Sequence, residues 1–356
     1  MSGRRTGVLL VNLGTPRAPR PREVRRYLRE FLSDPRVIDL PAPLRWLLLN
    51  LVILPTRPRA SARAYRAIWS DAGSPLLVHG LALCSAVAKA LGGDYRVEIG
   101  MRYGEPSIAQ ALSRLGLPEV AQLVVLPLFP QYSSAATGSA LERVLEEVGR
   151  AIRVPPLHAI GPFHDAPGYV HACAEVARPA LASFRPDHVL SSFHGLPERQ
   201  VRAADPGGAH CLEREDCCDT LGERNRDCYR AQCFATARAL AAALDLAPRS
   251  HSVAFQSRLG RTPWIRPHTD QVLPELARAG VRRLAVLCPS FVADCLETLE
   301  EIDIRAREQW RALGGEDFLL VPSLNAAPAW VDCVADLVRR AVPRASAADD
   351  PPGTAA

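Results

Sequence analysis

Short apolar runs alternate with helical stretches along almost the whole chain, and this alternation limits the fold more than any other feature. Runs suited to buried strands occur at Gly7–Leu13, Tyr95–Tyr103 and Gln122–Phe129, and again near residues 156–160, 187–193, 251–256 and 283–289. Helical periodicity fills the gaps, at Arg22–Leu32, Arg59–Trp69, Pro75–Leu91, Ser107–Leu115, from Ala135 to about Ile152, and at Ala329–Ala341. Strands that alternate with helices pair in parallel and are joined by right-handed crossovers. The expectation is an α/β protein with two parallel sheets. Its 356 residues suffice for two cores. Val154-Pro155-Pro156 is the expected join, giving a first domain over 1–155 and a second over 156–327. A closing helix over 328–342 and a disordered Ala/Asp/Pro/Gly tail over 343–356 complete this division.

Parallel sheets bind ligands outside the carboxyl ends of their strands. The residues at those ends are Asn12-Leu13-Gly14, Arg102-Tyr103, Pro127-Leu128-Phe129, Phe193-His194, Gln256-Ser257 and Pro289-Ser290-Phe291. Two such edges facing one another would frame a large cleft between the domains.

The net charge of +5 does not describe a nucleic-acid surface. Lys89 is the only lysine, and the arginines are scattered among acids rather than gathered into a stripe. No apolar run reaches the roughly 18 residues that a membrane span needs. The N-terminal apolar run is cut short by Asn12, Gly14 and Pro16, so it reads as a first strand rather than a leader, and the expected location is the cytoplasm. The segment over residues 42–54 contains Leu-Arg-Trp-Leu-Leu-Leu-Asn-Leu-Val-Ile-Leu. It reads either as a core helix or as an apolar lip beside a hydrophobic ligand or a membrane surface.

Two features carry chemistry. His194 stands at a strand end, before a Gly195-Leu196-Pro197 turn, where a base is held rigidly and still faces a cleft. Cys288-Pro289-Ser290-Phe291 leads into a segment bearing Asp294, Glu297 and Glu301, whose spacings of three and four share one face of an α-helix. Asp294 as an N-cap, with acids in the first turn, is the ordinary reading. A path of oxygen ligands for a divalent cation is the functional one, because stacked carboxylates need a cation or retained protons to offset their repulsion.

These and other motifs, taken in order, resemble the ferrochelatases. They are Val11-Asn12-Leu13-Gly14-Thr15-Pro16, Gly73-Ser74-Pro75-Leu76, Met101-Arg102-Tyr103-Gly104, Leu126 to Ser133, Ser192 to Pro197, Phe255 to Arg258, Pro263-Trp264-Ile265 with Pro267 to Asp270, Phe291 to Glu301, and Pro322 to Asn325. The resemblance spans about residues 6–340 and implies two Rossmann-like domains around a porphyrin. It implies a lyase that inserts Fe2+ into protoporphyrin IX, with His194 as the group that takes pyrrole protons or holds the metal and Glu297 facing it across the ring. Asp294 and Glu301 would belong to the acidic path for the metal. Leu13, Tyr65, Ser74, Arg102, Tyr103 and Trp264 would line the porphyrin pocket or hold propionates. Coproporphyrin as substrate is the near alternative, and a non-catalytic haem or iron–sulfur sensor on the same scaffold is the distant one. The expected partners are thus porphyrin and ferrous iron, with no nucleic acid, peripheral membrane contact through the lip, and a monomer or homodimer. One departure is Cys295, where many relatives carry histidine.

The second departure is a cysteine-rich segment over residues 205–233, holding Cys211, Cys217, Cys218, Cys228 and Cys233. In a reducing compartment such crowding points to metal rather than disulfides. Four thiolates suit a [2Fe–2S] cluster, whereas zinc sites favour two Cys-x2–4-Cys pairs and this segment has one, Cys228-x4-Cys233. The resemblance supports this reading, because some bacterial ferrochelatases carry cluster cysteines in an internal segment. Another arrangement in the family uses a distant cysteine plus three near the C-terminus. Here Ser134 occupies the distant position and the C-terminal region has only Cys333. Four of the five crowded cysteines are therefore expected to hold the cluster.

Overall fold

The computed structural model describes residues 5–342 apart from Pro206, Leu259 and Arg261. The expected tail over 343–356 lies outside the described residues. Two four-stranded sheets form, each wholly parallel. The first has the order β2-β1-β3-β4, with β1 Thr6–Thr15, β2 Tyr95–Gly104, β3 Gln122–Pro127 and β4 Leu157–Ala159. The second has the order β6-β5-β7-β8, with β5 His188–His194, β6 His251–Gln256, β7 Arg283–Leu287 and β8 Asp317–Leu320. The α/β class, with two helix-flanked parallel sheets, is as the sequence implies.

The unbroken apolar runs have a simple cause. Along β1, Val8 and Leu10 face one core together with Val124 and Leu126 of β3. Leu9 and Val11 face the opposite core with Leu123 and Val125. Both faces of the sheet are covered, so neither tolerates polar residues.

The chain crosses between the sheets at other points than the prolines suggest. β4 follows Pro155-Pro156 yet pairs with β3, Val125 opposite Ala159. It is therefore the edge strand of the first sheet, and the passage to the second comes after Ala159. The last helix, Pro328–Ala341, returns to the first sheet. Its Trp330, Val334 and Val338 lie in one core with Val8, Leu10 and Leu83. β8, four residues long behind Gly314-Gly315, is a strand that periodicity does not reveal.

Residues 42–68 form one continuous helical run rather than two helices. α-Helix over Ala42–Leu47 passes into a π-helical turn over Leu48–Ile53, then α-helix over Leu54–Ile68. Pro55 lacks an N–H and its ring crowds the preceding turn. The wider π-turn, with Leu54 N–H bonded back to Leu49 O, lies immediately before it. Leu49 and Leu54 are buried, while Leu44, Trp46, Leu47, Leu51 and Val52 are all exposed. Among the described residues, no helix is long and apolar enough to cross a membrane.

At the amino ends of β5 and β6 two histidines sit against serines. His188 Nε2 lies 2.7 Å from Ser252 Oγ, and His251 Nε2 lies 3.1 Å from Ser191 Oγ. Burial, and then the neighbouring His188, hold His251 down to about 4. An unfolded histidine titrates near 6.5, so between about 6.5 and 4 the unfolded chain binds a proton that the folded chain refuses. Stability from this site is complete above about pH 6.5 and falls as the pH drops toward 4. Thermal unfolding should show a lower midpoint at pH 5 than at pH 7, and His251→Gln should remove part of that difference.

Candidate active site

His194 is the last residue of β5, paired with Gln256 at the end of β6. The glycine after it is required by close approach. A Cβ on Gly195 would stand 2.8 Å from Gln256 O and 3.2 Å from Trp264 Cε3. Without one, Gly195 N–H donates to Gln256 O at 2.8 Å, and the strand end stays flat against β6. His194 Nδ1 lies 2.6 Å from Gly195 O. A carbonyl only accepts, so Nδ1 carries the proton and the lone pair of the neutral ring is on Nε2. The half-buried ring packs between Trp264 and Phe291, with centroids at 6.4 and 6.2 Å.

Glu297 opens a π-helical segment, Glu297–Ala306, instead of continuing an α-helix from Asp294. The side-chain amide of Gln256 donates to Glu297 O at 2.8 Å. Gln256 therefore holds both candidates, the histidine turn through its backbone and the glutamate through its side chain. The Glu297 carboxylate lies near an aromatic group from the first half of the chain. Burial first, and then the charge of Glu297, push the Tyr27 hydroxyl well above its ordinary pKa. Burial, Tyr27 and Glu297 do the same to Tyr65, and burial followed by Glu297 to the Cys295 thiol. Tyr65 meets Tyr27 edge-on at 6.5 Å and Trp69 at 6.2 Å. Leu13 and Leu296 pack against this same cluster.

The other two acids are not stacked on one α-helical face. Asp294 precedes the helix and is buried. Its oxygens accept from Ser323 N–H at 3.2 Å, Thr298 Oγ1 at 3.3 Å and Asn325 Nδ2 at 2.8 Å. It ties the loop after β7 to the loop after β8, which is neither an N-cap nor an open ligand. Glu301 accepts from Ser257 N–H at 2.8 Å and Ser257 Oγ at 2.5 Å. Ser257 takes a left-handed backbone, φ 67°, to make both bonds.

The expected pocket residues divide into two groups. Leu13, Tyr65 and Trp264 stand around Glu297 and His194 as described. Arg102 and Tyr103 are committed elsewhere, to the buried carboxylate of Asp34. Asp34 Oδ2 accepts from Arg102 Nη2 at 2.7 Å, Tyr103 OH at 2.8 Å and Ser139 Oγ at 2.6 Å. Burial pushes the Asp34 carboxyl up, but the bonds from Ser139, the Arg36 backbone, Tyr103 and Arg102 outweigh it and hold the group below the usual carboxylate range. Ser74 is buried and bonded to Thr15 Oγ1 at 2.7 Å. It borders a cavity of about 670 Å3, lined also by Trp69, Glu105, Gln110 and Arg114, that does not include His194 or Glu297. Sequence reasoning passed over Asp34 because an acid before a proline at a helix end reads as a stop signal.

In the cysteine-rich segment all five cysteines are buried in one core, alongside Phe193, Tyr229 and Phe255. Cys217 Sγ and Cys218 Sγ are 3.6 Å apart. Cys228 is a thiol hydrogen-bond partner of both Cys211 and Cys218. Leu212 N–H donates to Cys217 Sγ at 3.4 Å. Cys233 pairs instead with Tyr229. Burial pushes the thiols of Cys211 and Cys217 up, and the bond from Cys228 followed by burial raises Cys218. Among the described residues, no three His, Cys, Asp or Glu side chains stand in the arrangement of a formed metal site. Ser134, opposite in role, accepts from Arg36 Nη1 at 2.8 Å.

Two helix-flanked parallel sheets, with the candidate residues at their carboxyl ends, make a chelatase-like fold. The sirohydrochlorin chelatase SirB from Bacillus subtilis subspecies spizizenii, solved with cobalt, shares this fold with a TM-score of 0.53 at 11% identity over 95% of each chain. The ferrochelatase family model matches residues 5–342. A ferrochelatase of Coxiella burnetii (strain Dugway 5J108-111) is 49% identical over 94% of each chain. One from Legionella pneumophila (strain Philadelphia 1) is 47% identical over 94% of this chain and 98% of its own. The chain belongs to the ferrochelatase family.

Removing one partner of a buried ion pair strands the other, at a cost of roughly 3–5 kcal/mol, whereas a single hydrogen bond to a charged group is worth about 1.5–3 kcal/mol. Asp34→Ala should therefore destabilise the protein in urea unfolding more than Tyr103→Phe.

Proposed function

We propose that this ferrochelatase inserts Fe2+ into protoporphyrin IX to give protohaem, with His194 and Glu297 as the acting groups. The observation that carries the reading is the shared anchoring of the two residues on Gln256, with the Nε2 lone pair of His194 left for chemistry. Pyrrole N–H groups are weak acids lying in a flat ring. Apolar contact and propionate binding can be directed into puckering that ring and exposing them. Nε2 then accepts a pyrrole proton as general base, and Glu297 serves the opposite side of the macrocycle. Two pyrrole protons leave and one ferrous ion enters, so charge balances without redox change. Leu13, Tyr65 and Trp264 supply the apolar contact. With Asp294 and Glu301 hydrogen-bonded as described, Glu297 is the acid of the three that we assign to the metal, and Glu301 holds Ser257 in place.

The donor set of the cysteine segment fits a [2Fe–2S] cluster. Cys211, Cys217, Cys218 and Cys228 form one connected group of buried thiols, and we assign them as the ligands, leaving Cys233 to Tyr229. Buried thiols resist ionisation, so a metal must supply the compensating charge. When bound, the cluster supplies iron–thiolate cross-links and a redox-active centre. We assign the enzyme to the cytoplasm, and the exposed apolar side chains between residues 44 and 52 to contact with the porphyrin or the membrane face.

An anaerobic assay with ferrous iron tests the function. His194→Ala should lower the insertion rate by about 100-fold or more while porphyrin still binds, as read by its absorbance shift. Faster turnover of coproporphyrin than protoporphyrin would move the substrate assignment, and no insertion into either would defeat the enzyme reading. Protein isolated anaerobically should contain iron and acid-labile sulfide in equal amounts, and Cys218→Ser should lose both. Zinc in their place would remove the cluster assignment.

A further inference from the structure

The carbonyl of His194 poses a problem of its own. β5 pairs with β6 as far as His194, opposite Gln256, but with β7 only as far as Ser191, opposite Leu287. Among the described residues, the last three of β5 therefore have a strand neighbour on one side only. A buried backbone carbonyl without a partner is costly, and an unpaired strand end is free to shift.

Tyr229 fills the gap. Its hydroxyl donates to His194 O at 2.7 Å and lies 3.1 Å from Ser290 Oγ in the loop after β7. The phenol is buried, and burial followed by the neighbouring Cys233 keeps it protonated. Tyr229 is itself fixed, as the first residue of the helix Tyr229–Ala243. One turn on, Gln232 accepts from Tyr132 N–H at 2.7 Å, and two turns on, Thr236 donates to His164 O at 2.8 Å. The start of this helix is thereby tied to the first half of the chain while its leading hydroxyl holds the strand end of the second.

We propose, building on the reading of His194 as the base, that Tyr229 is the positioning residue for His194, setting the direction of Nε2 through the histidine's own carbonyl. Because Cys228 immediately precedes Tyr229, the cysteine nest is one residue from this contact, and its order reaches the histidine by that route.

The test compares two buried tyrosines. Tyr169 also donates to a backbone carbonyl nearby, Pro289 O, at 2.5 Å, but does not touch His194. Tyr229→Phe should lower kcat for iron insertion about tenfold with KM for porphyrin within twofold, whereas Tyr169→Phe should lower the melting temperature and keep kcat. Nitrogen-15 spectra of histidine-labelled protein give a readout independent of turnover. The ring signals of His194, assigned by their loss in His194→Ala, should shift in Tyr229→Phe and stay in Tyr169→Phe. Unchanged kcat and unchanged His194 signals in Tyr229→Phe would overturn the proposal, as would an equal fall in kcat in both variants. A wild-type enzyme that inserts no iron would instead defeat the functional reading, and the spectra would still decide whether Tyr229 positions His194.

Discussion

The final pairing of β5 and β6, His194 beside Gln256, fixes the geometry of the candidate site. Gly195 can lie against Gln256 O only because it has no side chain. The Gln256 side chain then reaches across to Glu297 O, and the next residue, Ser257, bends into a left-handed conformation to grip Glu301. Two neighbouring residues thus hold the histidine, the glutamate and the acidic turn. Buried hydrogen bonds of this kind are costly to leave unmade, which makes the arrangement rigid rather than merely favourable.

What was legible in the sequence was what periodicity and strand ends encode. The unbroken apolar runs of β1, β3 and β5 mark strands covered on both faces. His194 stands out because Gly195 follows it and Pro197 comes three residues on. The acidic segment was misread in detail because spacings of three and four describe an α-helix, while hydrogen bonding from residue i to i+5 begins at Glu297 and leaves Asp294 outside. Asp34 escaped notice because its partners, Arg102, Tyr103 and Ser139, lie 68 to 105 residues away in sequence. No local pattern marks such a contact. β4 went to the wrong side of the Pro155-Pro156 join for the same reason, since its pairing with β3 is a matter of tertiary structure.

The cysteine segment follows a different logic from the sheets around it. It has little regular structure of its own, and its buried side chains are largely thiols rather than aliphatic groups. Asp205 braces its start by accepting from the backbone N–H groups of His210 and Cys211, both at 2.8 Å. Asn225 braces its end through Cys217 O and Thr220 O at 2.9 and 2.8 Å. Polar staples of this sort define a loop, and thiols gathered inside it provide few of the dispersion contacts that fill an aliphatic core.

The return of the last helix to the first sheet has a consequence for how the protein is made. Val8 and Leu10 leave the ribosome long before Trp330, Val334 and Val338, yet all five lie in one core. The core on this side of the first sheet is incomplete until the helix Pro328–Ala341 has been synthesised. Domains usually fold as units in the order of translation. In this chain the first core to begin is among the last to close.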